Sequence, residues 1–148
     1  IGTGLVGSEM CIRDRFYSKE TNRFLLLHRT QSKQNRVWGL VGGTTTNELA
    51  WAGLKREIKE EIGDVKILKT IPMETFISND EAFLYHTYLC VVGPEFLPKL
   101  NKEHDGFAWC TFNHWPKPLH QGLRKTLQSK VNQTKLDTVF KILKFLDD

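Results

Sequence analysis

"VGGTTTNELAWAGLKREIKEEIG", residues 41–63, ends in an unusual concentration of negative charge. Read as a helix, it stacks Glu57, Glu60 and Glu61 on nearly one azimuth, because side chains three and four apart lie one above the other. Each like-charge pair at that spacing costs about 0.2–0.5 kcal/mol. The acids also fall just before Gly63, a predicted C-terminal cap, where the helix dipole disfavours anions. Arg56 can offset Glu60 four residues on, but Glu57 and Glu61 have no basic neighbour on their own face. A compensating charge is expected from outside the helix, and a divalent cation is the natural candidate.

The chain has 148 residues and a formal net charge of +4. Residues 5–14, "LVGSEMCIRD", back-translate to CTC GTG GGC TCG GAG ATG TGT ATA AGA GAC, which resembles a transposon-type sequencing adapter read in frame. Residues 1–15 are therefore expected to be a non-native tail, and residues 16–148 a single domain. On that reading Met10 is not a start, part of a first strand is missing, and a chain beginning at Phe16 loses nothing measurable. Glu9, Arg13 and Asp14 give residues 1–14 a net −1, so the remainder carries +5. That balance suits a polyanionic small molecule and falls short of the dense basic stripe of a dedicated nucleic-acid binder. Cys90 and Cys110 lie outside metal-type spacings, which implies reduced thiols and a cytoplasmic location. No run approaches the roughly 18 apolar residues of a membrane span.

Outward from the opening stretch, "FLLLH" (24–28) predicts a buried strand, "RTQSKQNR" a polar loop, and "VWGLV" (37–41) a short strand entering the Gly42-Gly43 turn. Asn47 is the expected N-cap of a helix over 48–62 whose apolar stripe is Trp51, Leu54, Ile58 and Ile62. Two strand-rich runs, "VKILKTIPMETFI" and "AFLYHTYLCVV", flank the turn-like "SNDE". The loop "GPEFLPKLNKEHDG" leads to a short strand, "FAWCTF". The tail reads as helical over about 121–128 and 135–147, with Val139, Ile142, Leu143 and Leu146 facing inward. This order predicts an α/β sandwich with a mixed sheet.

Gly42, Glu48, Arg56, Glu57, Ile58, Glu60, Glu61 and Gly63 fall on a spacing that resembles the Nudix box, G-x5-E-x7-R-E-U-x-E-E-x-G-U, where U is a bulky aliphatic residue. The approach, "FLLLHR" then "VWGLVGG", is similar to that of Nudix domains, and the likeness spans residues 16–115. Three positions depart from the pattern: Asp64 replaces the final aliphatic residue, Val41 stands where many members have Pro, and the loop after the glycines is one residue shorter. The acids keep their mutual spacing, so metal binding is expected to survive.

The resemblance implies an α/β/α sandwich and a hydrolase that cleaves the diphosphate linkage of a nucleoside diphosphate derivative, with Mg²⁺ or Mn²⁺ as cofactor. Oxygen-rich carboxylate clusters suit such ions, which can neutralise a diphosphate and activate water. It assigns Glu57, Glu60 and Glu61, with the Gly42 carbonyl, to the metal; one of the glutamates, Glu60 foremost, could serve instead as base. Arg56 would orient them and Glu48 would pair with Arg56. Glu103, six residues before Trp109, resembles the family's late loop glutamate, a further ligand or base. Arg29 is a candidate phosphate contact, and His104 and Trp38 are weaker candidates for the substrate, a solvated loop histidine and a core tryptophan being their plainer readings.

The rival function is a catalytically silent nucleotide-binding module, but such domains typically break the acidic cluster that this chain keeps. An RNA-processing role would call for a stronger basic groove than "LRKTLQSKVNQTK" (123–135), whose basic residues alternate with core-type ones. Nucleoside triphosphates, dinucleoside polyphosphates and nucleotide sugars all remain open as substrates, and a homodimer stays open too.

Overall fold

The structure, a computed structural model, describes residues 9–30, 36–45, 49–77, 83–120, 123–124, 127 and 130–147. Among them, seven strands form one mixed sheet: β1 (Glu9–Ser18), β2 (Arg23–Arg29), β3 (Trp38–Gly39), β4 (Val41–Thr45), β5 (Lys69–Ile77), β6 (Phe83–Val92) and β7 (His104–Thr111). Helix α1 (Ala50–Ile62) follows β4, and helix α2 (Lys130–Asp147) closes the chain.

β1 is the centre of the sheet. Along one side it runs parallel to β6, from Glu9↔Phe83 to Ser18↔Val92. Along the other, its first half pairs antiparallel with β4 (Met10↔Thr45 to Asp14↔Val41) and its end pairs with β2. β2 pairs in turn with β3 and β7, and β5 pairs with β6. Residues 9–15, set apart in the sequence as a tail, thus occupy seven central strand positions.

The period-2 alternation of β1 sends Ile12, Asp14 and Phe16 to one face and Arg15 and Tyr17 to the other. On the first face, Leu54, Ile58 and Ile62 of α1 pack over Ile12, Phe16, Leu25, Leu27, Val41, Cys90 and Val92. On the second, Leu136 of α2 with the half-buried Val139, Phe140 and Leu143 covers Tyr17, Phe24, Met73, Leu89 and Val91, while Leu123 and Leu127 cover Leu26. Each fully buried side chain of this kind contributes roughly 1.5–3 kcal/mol. The result is the expected α/β/α sandwich.

Several local expectations shift. Helix α1 starts at Ala50 with Leu49 as its cap residue; Asn47, Glu48 and the turn "SNDE" lie outside the described residues. Trp51 is 37% exposed, against the rim at Tyr88, so the buried stripe is Leu54, Ile58 and Ile62. "VWGLV" divides into β3 and β4, and the glycines read as a turn form strand, because β1 supplies a hydrogen-bonding partner that the sequence reading had removed. β5 begins at Lys69, four residues later than the apolar run; Val65 and Ile67 pack beneath α1 as irregular chain. Ile142 is 53% exposed and Leu136 takes the inward position; the side chain of Leu146 is outside the described set.

One buried charge marks the core. Asp14 is fully buried, and burial pushes its pKa from 3.8 up to about 7, only partly countered by hydrogen bonding from Cys90 and by the Arg15 charge. Between pH 4 and 7 the folded carboxyl keeps a proton that the unfolded chain releases, so stability falls as pH rises through that window, by an amount on the order of 4 kcal/mol. Asp14→Asn is expected to raise the melting temperature by about 5–10 °C at pH 8 and to change it little at pH 4. Parallel wild-type and variant melts with the same pH slope would contradict this.

Candidate active site

Two of the helix acids, Glu57 and Glu61, converge on the Gly42-Gly43 pair of β4, while Glu60 stays exposed; each glycine is required for its own reason. Gly42 has φ +146°, and a Cβ there would fall 1.9 Å from the Ile12 carbonyl oxygen of the neighbouring strand. At Gly43 a Cβ would stand 2.5 Å from the Glu57 carboxyl carbon, so the missing side chain is what lets Glu57 lie against the strand. Glu61, one turn further along α1, is 1% exposed and accepts the Gly42 N–H at 3.1 Å. Gly63 ends the helix with φ +87° and donates its N–H to the Lys59 carbonyl.

Arg56 donates to Glu57 Oε1 at 3.0 Å and to both oxygens of the exposed Glu60 at 3.4 Å. Glu57 therefore does have a basic neighbour, adjacent in sequence, contrary to the helical-azimuth argument; the long Arg56 side chain reaches sideways across the helix. The proposed Glu48 contact lies outside the described residues.

The loop glutamate arrives from the opposite side. Asn101 Oδ1 accepts the Glu103 N–H at 3.0 Å, and Thr30 donates its N–H to the Glu103 carbonyl at 2.9 Å and its hydroxyl to the Lys102 carbonyl at 3.0 Å. A register shift between His28 and Arg29 aligns Arg29 with His104 at the start of β7. Such bulges re-aim side chains. Carboxylate oxygens of Glu61 and Glu103 and a ring nitrogen of His104 all come within 4.8 Å of one another. His104 is thus strand and 7% exposed, not the solvated loop residue its polar surroundings suggested.

Electrostatics follow from this crowding. Burial, with the charges of Glu57 and Glu103, holds the Glu61 carboxyl up at about 8 despite the Gly42 N–H and Arg13. Burial likewise raises Glu57, which Arg56 partly offsets. Burial and then the Arg29 and Arg13 charges push His104 down to about 4, so its imidazole is neutral at pH 7. Arg29 is half-buried and feels the opposing fields of Arg13 and of Glu61 and Glu103.

Two neighbours escaped the sequence reading. His120, beside Arg29 over Gly39, is pushed down to about 4 by burial, Arg29 and Arg13, and its N–H is held by the Trp38 carbonyl at 2.8 Å. Nothing local in "WPKPLHQG" signals that placement. Arg13 was set aside with the tail. Trp38 packs against His28, with ring centroids 4.9 Å apart, and against the Leu26, Leu123 and Leu127 cluster, in keeping with a core role.

Residues 16–129 match the family model of the NUDIX domain. The chain belongs to the Nudix hydrolase family. No curated protein matches it significantly. Among solved structures, this Nudix chain resembles the Nudix hydrolase RenU from M. smegmatis, with a TM-score of 0.65 and 17% identity, covering 88% of this chain and 86% of that one. A MutT Nudix hydrolase from Burkholderia pseudomallei gives 0.59 and 20%, over 82% and 98% of the two chains. An Ap4A hydrolase from C. elegans gives 0.58 and 18%, over 92% and 98%. At these identities the likeness is one of fold. No helix among the described residues is long and apolar enough to cross a membrane.

Proposed function

We propose that this Nudix enzyme is a divalent-metal-dependent pyrophosphohydrolase that cleaves the diphosphate linkage of a nucleoside diphosphate derivative. The observation that carries this reading is the convergence of Glu57, Glu61 and Glu103 at the Gly42-Gly43 strand, with Arg29 beside them. The residues fit a hard divalent ion: they offer carboxylate oxygens, and the charges of Glu57 and Glu103, which add to burial in holding the Glu61 carboxyl up, are of the kind a cation offsets. Mg²⁺ is the expected cofactor, with Mn²⁺ as substitute. When bound, such an ion supplies neutralisation of the diphosphate and activation of water.

Within this reading Glu57, Glu60, Glu61 and Glu103 hold the ion, with the Gly42 carbonyl as backbone donor. Glu60, the most exposed of the helix acids and held by Arg56, is the candidate base. Arg56 fixes Glu57 and Glu60 relative to each other, and Arg29 contacts substrate phosphate. His104 and Trp38 border the substrate. Nucleoside triphosphates, dinucleoside polyphosphates and nucleotide sugars are all carried forward as candidate substrates; chains of similar fold include an Ap4A hydrolase and a NUDIX domain complexed with ADP ribose. The native part of the domain is read as residues 16–148, with 1–15 an adapter-derived stretch whose last seven residues fill a place in β1 on which the fold depends; the enzyme works in the cytoplasm.

The test is a panel of nucleoside triphosphates, dinucleoside polyphosphates and nucleotide sugars with Mg²⁺ or Mn²⁺, scored for phosphate and pyrophosphate release. Glu60→Gln is expected to lower kcat by about 10² or more while changing nucleotide affinity far less. Wild-type protein that turns over nothing at saturating Mn²⁺, yet binds nucleotide, would replace the enzyme with the binding module.

A further inference from the structure

His104 raises a question that the box acids do not answer. Its side chain is nine-tenths buried, and Nδ1 has no hydrogen-bond partner among the described residues. A buried polar atom left unsatisfied costs roughly 1–3 kcal/mol. The ring nevertheless stands in a closed arrangement, with one nitrogen within 4.8 Å of carboxylate oxygens of Glu61 and Glu103. Ligand atoms on opposite sides of a first-row ion stand about 4–4.5 Å apart, given bonds of about 2.0–2.2 Å, so small side-chain movements would bring the three onto one ion. The backbone on both sides is fixed: Glu103 is held by Asn101 and Thr30, Glu61 by Gly42, and His104 by its strand pairing with Arg29.

We propose that Glu61, Glu103 and His104 form a mixed nitrogen–oxygen metal site that takes a first-row transition ion in preference to Mg²⁺. This rests on the hydrolase reading only for its location; the recognition itself is donor chemistry. Two carboxylates alone would favour hard ions, whereas an imidazole nitrogen shifts preference toward Co²⁺ and Zn²⁺. Glu57 and Glu60, tied to Arg56, remain an all-oxygen pair beside it. His104 then acts as a metal ligand, a role the sequence reading did not give it.

The experiment uses the full chain freed of metal, with no nucleotide present. Titration calorimetry with Co²⁺ and with Mg²⁺ is expected to show Co²⁺ binding at least about tenfold tighter. Proton NMR of the Co²⁺ form should show paramagnetically shifted resonances from one imidazole. His104→Gln should remove those resonances and weaken Co²⁺ binding about 10–100-fold, leaving Mg²⁺ binding within about twofold. His104→Asn serves where Gln fails to fold, and the wild-type spectrum stands without either. Absence of a shifted imidazole, or Co²⁺ affinity unchanged in a folded variant, overturns the proposal. Mg²⁺-dependent turnover that persists alongside such a result leaves the hydrolase reading intact; a shifted imidazole with no turnover on any substrate defeats that reading alone.

Discussion

A chain that starts at Phe16 is expected to lose its cooperative melting transition. The deletion removes the seven β1 positions that pair with Phe83–Leu89 of β6, and five of the seven also pair with β4. It takes Ile12, fully buried under α1, out of the core at a cost of roughly 1.5–3 kcal/mol for that side chain alone. The edges of β4 and β6 it exposes would leave several buried backbone groups without partners, each costing about 1–3 kcal/mol. Against a total stability of about 5–15 kcal/mol, that sum leaves little or nothing. Circular dichroism melts of the two chains decide it: an unchanged transition temperature would show that the fold does not depend on the stretch, as the sequence alone suggested. The damage should also reach the site, since β4 carries both glycines on which the acids converge.

The second large effect concerns chemistry with the fold preserved. Changing Glu57 and Glu61 together to Gln is expected to cut metal-dependent turnover by about 10⁴ or more, to the limit of detection. Gln at 61 keeps an oxygen for the Gly42 N–H, and Gln at 57 keeps the volume that Gly43 accommodates. Removing two carboxylates one turn apart relieves their repulsion, so the melting temperature should hold or rise slightly. Turnover within about tenfold of wild type would move the active site away from the box.

The pairing of Glu57 with Glu61 could be read from sequence because a helix converts spacing into geometry: side chains four apart share a face wherever the helix lies, whereas Glu60 stands exposed beside Arg56. The α/β/α layering followed from the order of apolar runs for a similar reason. What stayed hidden depended on partners distant in the chain. Arg13, Asp14 and Arg15 do not resemble a central strand; pairing with β6, and for Arg13 and Asp14 also with β4, makes them one. Gly42 and Gly43 read as a turn until a neighbouring strand claims their backbone. His104 sits among charged residues, and its burial comes from strand pairing and from the residues around Arg29, not from its own segment. His120 reaches the same place through the Pro118–Leu119 segment, which docks beside Trp38.

The parallel β1–β6 ladder also sets an order of events during synthesis. Ile12 pairs with His86, 74 residues later. At roughly 5–20 residues per second, a ribosome needs on the order of 4–15 s to make the intervening chain. For that interval the strand with its four charged residues has only β4 and the end of β2 to lean on. The carboxylates of α1 emerge before β6, and Glu103 follows it, so the nascent chain carries an acidic helix with no completed cage around it. On the proposed metal-dependent reading, newly made protein should therefore take up metal only after the last strands leave the ribosome. Until then the open side of β1 is the surface that chaperones would meet.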